Sequence, residues 1–281
     1  MSGDSGEARA VGEGSMGSMT RSRIVGLLGV LAMVFATPHM SAAQRGSRIV
    51  RIAAASDLRF ALDEVMERLR VAQPTLDVRV TYGSSGTFVA QIVNGAPFDL
   101  FMSADLDYPR QLAARNLTVE GSEFVYGMGH LAVWVPSASL LDVEQSGMLT
   151  LLDSHVDHIA IANPATAPYG RAAVAAMRGL GVYSRVSDKL VLGEGVTQAL
   201  QFVQSGSAEI GVVALSLVMA PAMADLGRYA VVPLTAYPRM EQGGVILRAA
   251  ADVAAARQVR AFLLGDVSRG VLRRYGFSLS D

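Results

Sequence analysis

Cysteine is absent from all 281 residues. That excludes disulfides, thiolate metal sites and lipid attachment through a cysteine, while leaving an oxidising compartment open. A charge surplus is missing as well. The 24 basic and 25 acidic residues leave a net charge of −1, with no basic block, so nucleic acid is not an expected partner. Catalytic signatures are also lacking: there is no Gly-x-Ser-x-Gly elbow, no His-Glu-x-x-His helix and no Gly-Lys-Ser/Thr phosphate loop. His155 and His158 have helical spacing beside Asp153 and Asp157, but read as a solvated loop rather than a metal site. Long hydrophobic runs are confined to one place. Arg21 and Arg23 precede the apolar stretch Ile24–Phe35, and Ser41-Ala42-Ala43 follows. This is the pattern of a secretory signal, with cleavage expected after Ala43. It falls short of the ~20 apolar residues that span a bilayer. Residues 1–18 are Gly/Ser-rich and acidic, and Met16 and Met19 are alternative starts.

What is present is ample core material, since 51% of the chain is hydrophobic. The length suggests about two domains of roughly 100–200 residues. A strand from Arg48 runs into Ala53-Ala-Ala55, with Ser56 as the expected cap of a helix whose apolar positions are Leu58, Ala61, Leu62, Val65, Met66 and Leu69. Strand Asp77–Tyr82 leads through Gly83-Ser-Ser-Gly86 into a second helix, which stops at Asn94-Gly95. Strand Phe98–Met102 and a helix over 107–115 follow. Asp99 is read as a structural acid and Asp105 as a cap. Such alternation signals a parallel α/β sheet.

Leu131–Val135, with Trp134 as core, opens a second lobe. Strands at Ile159–Ala162, Lys189–Leu192 and Ile210–Ala214 alternate with helices from Pro168 and Thr197. Tyr229–Leu234 and Gly243–Leu247 are read as strands returning to the first lobe, and helices at 251–264 and 266–275 close the chain. Four strand-to-helix junctions carry small or hydroxyl residues: Ser56-Asp57, Ser84-Ser85, Pro168-Tyr169 and Gly195-Val196. Ligands of open α/β sheets bind beyond the carboxyl ends of strands. Helix N-termini supply N–H groups that hold anions without Lys or Arg. Taken alone, Ser84 and Ser85 read first as helix caps.

Several motifs in order carry a resemblance: Ala53-Ala-Ala-Ser-Asp-Leu58, Gly83-Ser-Ser-Gly86, Gln91-Ile-Val-Asn-Gly-Ala-Pro97, Leu100-Phe-Met-Ser-Ala-Asp105, Asn163-Pro-Ala-Thr-Ala-Pro-Tyr-Gly170 and Gly211-Val-Val-Ala-Leu215. Over about residues 48–276 the chain resembles the periplasmic molybdate-binding proteins of ABC transporters. The resemblance implies an α/β, two-lobed type II periplasmic-binding fold with a two-strand hinge and an interlobe cleft. Its expected division is an extension and cleaved signal at 1–43, a first lobe at 48–129 and 235–281, and a second lobe at 130–234. It implies a periplasmic monomer, not an enzyme, without a cofactor. The ligand would be molybdate or tungstate, and the partners an ABC permease and its ATPase subunit. Ser56, Asp57, Ser84 and Ser85 match donor positions of the first lobe, and Tyr169 and Val196 match backbone N–H donors of the second. Of Ser84 and Ser85, the latter is favoured as the hydroxyl donor, and only the Asp57 N–H is expected to face the ligand. Ala214 stands where some members place a tyrosine on the anion. The rival readings are a protein for another oxyanion such as sulfate, and a secreted α/β enzyme acting on a small anion. The second would need a base near Ser84 or Ser85.

Overall fold

The computed structural model describes residues 48–279. The signal-sequence and start-site readings lie outside those residues. Among the described residues, ten strands and ten α-helices follow in chain order. The first part contains β1 (Arg48–Ala55), α1 (Arg59–Ala72), β2 (Leu76–Gly83), α2 (Ser85–Val93), β3 (Leu100–Ser103), α3 (Asp107–Ala114) and β4 (Phe124–Gly129). Then come β5 (Leu131–Pro136), α4 (Val143–Ser146), β6 (Ile159–Ala162), α5 (Pro168–Gly179), α6 (Tyr183–Val186), β7 (Leu190–Gly193), α7 (Val196–Gln204), β8 (Ile210–Ala214), α8 (Leu215–Val218) and β9 (Gly227–Val231). The last part contains β10 (Met240–Ile246), α9 (Val253–Leu264) and α10 (Asp266–Arg274).

The strands form two five-stranded sheets built on one plan. One has the order β2-β1-β3-β10-β4, the other β7-β6-β8-β5-β9. In each, three parallel strands are followed by one that runs against them and a fifth that is antiparallel to the fourth. Parallel strands need helical crossovers, and helices then cover both faces. The burial follows: every residue of β3, β6 and β8 is buried, whereas edge strand β2 is buried only at Leu76. On α1 the buried residues are Ala61, Leu62, Val65, Met66 and Leu69, the period-3.6 face expected from the sequence. Trp134 is 1% exposed in the core.

The chain crosses between the sheets twice. β4 runs through His130 into β5, and β9 is followed, eight residues later, by β10. Two expectations need correction here. Phe124–Gly129 is a strand that the residues did not suggest, because its Tyr126-Gly-Met-Gly129 lacks β-branched residues. β9 does not return to the first sheet. It pairs antiparallel with β5, Ala132 opposite Val231 and Trp134 opposite Tyr229, as the edge of the second sheet. Only β10 makes the return.

Candidate functional site

The carboxyl ends of β1, β2, β6 and β7 meet between the two sheets. The loops that leave them enclose one small cavity lined by Ser56, Asp57, Ser84, Ser85, Tyr169 and Val196, with Gly83, Ala104, Pro168 and Gly195 beside them. The centre of a water-sized sphere has about 10 Å³ of freedom inside it. A drug-sized ligand takes roughly 300–1,000 Å³, so this cavity suits one compact group. None of its lining residues is Lys, Arg or His, and Asp57 is the one carboxylate among them. A larger hollow of about 460 Å³ flanks it, open to solvent and lined by both Arg110, Arg171, Arg239 and Asp105, Asp107, Glu241. Its mixed charges favour no single ligand class.

Helix geometry explains what the cavity offers. The first N–H groups of a helix have no intrahelical acceptor. Ser85 is the first residue of α2, Val196 the first of α7 and Tyr169 the second of α5. Three helix starts therefore face one point, each with the positive end of its dipole. Pro168 opens α5 without sacrificing a needed N–H.

The serines do not act as caps. Ser56 begins a short 3-10 turn, Ser56–Leu58, whose preceding residue is Ala55, so its expected capping role is not realised. Its Oγ has no partner among the described residues. Its carbonyl instead receives the Thr197 hydroxyl at 2.9 Å. Ser84 occupies the residue before α2, yet its side chain caps nothing. It donates to the Thr166 carbonyl at 2.8 Å, on the far side of the cleft. The Ser85 Oγ accepts from the Ala104 N–H at 3.1 Å. That bond uses an oxygen lone pair and leaves the Ser85 hydrogen without an acceptor among the described residues.

The two sides are joined around the cavity. The Thr166 carbonyl also receives the Gly86 N–H at 2.9 Å and the Tyr108 hydroxyl at 3.2 Å. Arg171 donates to Asp105 Oδ2 at 2.5 Å and to the Tyr108 hydroxyl at 3.1 Å. Ser216 donates to the Asp57 carbonyl at 2.8 Å. Beneath the cavity lies a buried polar set. Asp57 Oδ2 accepts from the Tyr169 hydroxyl at 3.1 Å and from Gln242 Nε2 at 2.9 Å. Tyr126 reaches Gln242 Oε1 at 3.0 Å and the Ser103 carbonyl at 2.8 Å. Gly129 makes room for this set, since a Cβ there would run into the Gln242 amide and the Tyr169 hydroxyl. Burial raises the Asp57 carboxyl from an ordinary 3.8 to about 6, against the lowering effect of Gln242 and Tyr169.

Thr166, Gln242, Tyr126, Tyr108 and Thr197 escaped the sequence reading. A carbonyl acceptor such as Thr166 leaves no mark in residue type. Gln242, fully buried in a strand, is the one that composition could have flagged. Asp99 accepts the Arg51 and Ala251 N–H groups at 2.7 and 2.8 Å. Asp105 caps α3 through the Tyr108 N–H at 3.1 Å. His155 pairs with Asp153 at 2.8 Å and His158 with Glu209 at 3.7 Å, both exposed and outside any helix.

Residues 50–278 match the family of bacterial extracellular solute-binding proteins. The molybdate-binding protein ModA of Rhodobacter capsulatus is 38% identical over 200 residues, covering 71% of this chain and 77% of that protein. The protein of the same name from Azotobacter vinelandii is 39% identical over 202 residues, covering 72% and 79%. The solved Azotobacter vinelandii periplasmic molybdate-binding protein superposes with a TM-score of 0.77 at 30% identity, covering 83% of this chain and 100% of that one.

Proposed function

This chain belongs to the bacterial extracellular solute-binding proteins, in the branch of the molybdate-binding proteins, and from that premise we propose that it captures molybdate between its lobes for an ABC permease. The observation that carries this reading is the convergence of helix starts and hydroxyls on one small cavity without a cation. The first lobe is taken as 48–129 and 235–281, the second as 130–234. Ser56, Asp57, Ser84, Ser85, Tyr169 and Val196 form the site. Ser85 contributes its free hydroxyl hydrogen, and Asp57, Tyr169 and Val196 contribute N–H groups.

Hydrogen bonds to a charged group are worth about 1.5–3 kcal/mol each. Several of them, less desolvation and closure, reach the roughly −8 kcal/mol of micromolar binding and beyond. Neutral fixed donors select a fully deprotonated anion, because a P–OH hydrogen would face N–H hydrogens. Sulfate has shorter bonds and leaves the donors stretched. Tungstate, nearly the size of molybdate, binds comparably. The role is capture and not catalysis: the one carboxylate in the lining, Asp57, is hydrogen-bonded to Tyr169 and Gln242 and to none of the serines. The apolar segment before Ala43 and the extracellular family together support a periplasmic location; the protein acts as a monomer whose closed lobes are read by the permease and its ATPase subunit.

A thermal-melt panel tests the reading. Ligand at ~1,000 times its Kd adds about 4 kcal/mol of stability. Molybdate and tungstate should each raise the melting temperature by several degrees, and sulfate and phosphate should not. A rise with sulfate and none with molybdate would overturn the proposal.

A further inference from the structure

Asp57 is the odd member of a site built from donors. It lines the cavity and is 1% exposed. Its Oδ2 is held by Tyr169 and Gln242, while its buried Oδ1 has no hydrogen-bond partner. No Arg or Lys pairs with it among the described residues. The groups facing it are Tyr169 from α5, Tyr126 from β4 behind Gln242 of β10, Ser216 from α8, and Thr197 from α7 through the Ser56 carbonyl. Arg59, two residues on, turns instead to the Tyr82 ring, and Asp105 is occupied by Arg171. Both tyrosine hydroxyls are pushed well above their ordinary range by burial and by the Asp57 charge, so they keep their protons.

An ionised Asp57, which lines the cavity, would therefore set a negative charge beside an incoming dianion, with no basic side chain in the lining to offset it. Like charges at close range drive protonation of the weaker acid. A carboxyl group reverses the interaction, since its Oδ1–H becomes one more donor. We infer that Asp57 is a specificity-determining residue that holds the oxyanion as a neutral acid, taking up one proton from solvent when the dianion binds. The step balances: carboxylate, solvent proton and dianion give a carboxylic acid hydrogen-bonded through Oδ1 to an anion oxygen. The inference rests on the oxyanion-binding reading above. Its supporting property is that burial already raises this carboxyl to about 6, within reach of neutral pH.

The pH dependence follows in sign. Below about 6 the free protein already carries the proton, and affinity is flat. Above it the proton must be acquired, and affinity falls by up to about tenfold per pH unit. Asparagine at 57 would present an N–H where the acid presents its O–H, without a proton to acquire.

Calorimetric titration of the whole protein with sodium molybdate at about pH 7.5 tests this, in two buffers of contrasting ionisation enthalpy such as Tris and PIPES. The dependence of observed heat on buffer enthalpy should report uptake of about one proton by the wild type and about none by Asp57→Asn. The variant should also bind at least tenfold tighter than wild type at pH 8. Tight molybdate binding by the wild type without proton uptake overturns the inference and leaves the oxyanion reading intact. The wild-type titration decides this even if the variant fails to fold. Binding of hydrogen phosphate in preference to molybdate overturns it too, because Asp57 would then be accepting a ligand proton. No molybdate heat in either buffer overturns the underlying reading and this inference with it.

Discussion

Ser84 and Ser85 are adjacent and chemically identical, yet they are committed differently. Ser84 spends its hydrogen on Thr166, whereas Ser85 receives one from Ala104 and keeps its own. In the proposed site, Ser85→Ala removes a donor to a charged ligand, a loss of about 1.5–3 kcal/mol, or roughly tenfold to a hundredfold in Kd. Calorimetry should show that loss on a folded variant whose melting temperature falls by a few degrees, because the buried Ala104 N–H loses its acceptor. Unchanged affinity would reduce Ser85 to a prop for Ala104. Asp57 carries a second prediction at this scale, for the ligand-free protein. Its folded value of about 6 lies above the ordinary 3.8, so the folded state holds this proton more tightly than the unfolded one. Stability therefore falls as pH rises from about 4 through 6, by roughly 3 kcal/mol from this group. Melting temperatures of wild type and Asp57→Asn should diverge across that window in favour of the variant. Parallel curves would show that Asp57 ionises as freely when folded as when unfolded.

At the scale of elements, the site depends on bringing the starts of α2, α5 and α7 together, with Thr166 joining the two sides. Gly86 is placed for that contact. A Cβ there would lie 2.7 Å from the Thr166 carbonyl oxygen and 2.5 Å from the Tyr108 hydroxyl. Alanine suits the first turn of α2 better than glycine, by about 0.8–1.0 kcal/mol of helix propensity. Gly86→Ala should therefore leave folding intact while weakening molybdate binding at least tenfold, as read by melting and calorimetry on the same preparation. Retained affinity would show that Thr166 moves aside without cost. The helix starts themselves were legible from Ser56-Asp57, Ser84-Ser85, Pro168-Tyr169 and Gly195-Val196, because strand-to-helix junctions mark themselves in residue type. The contacts between them were not. Thr166 takes part through its carbonyl, and Gln242 and Tyr126 meet Asp57 from strands far away in sequence. Such pairings depend on sheet order, which residue periodicity does not encode.

For the whole molecule, the alternation of strands and helices made the α/β class readable, and the motif order made the two-lobed fold readable. The route of the chain was harder. β5 reads as the opening of the second lobe while β4 does not show in the residues at all, and β9 reads as returning to the first lobe although it stays with β5. Strand pairing is a non-local choice, and β9 is half-exposed, so its pattern carries little information. The two crossovers, through His130 and through residues 232–239, are the segments about which the lobes would hinge. X-ray scattering should report a smaller radius of gyration with molybdate than without, and the same radius with sulfate as without. A radius indifferent to molybdate would argue against a hinge closure. The most direct test of the central claim is calorimetric titration of the purified protein with molybdate. The account predicts one anion per chain, submicromolar affinity and at least a hundredfold preference over sulfate. An absence of molybdate heat, or sulfate binding as tightly as molybdate, would contradict it.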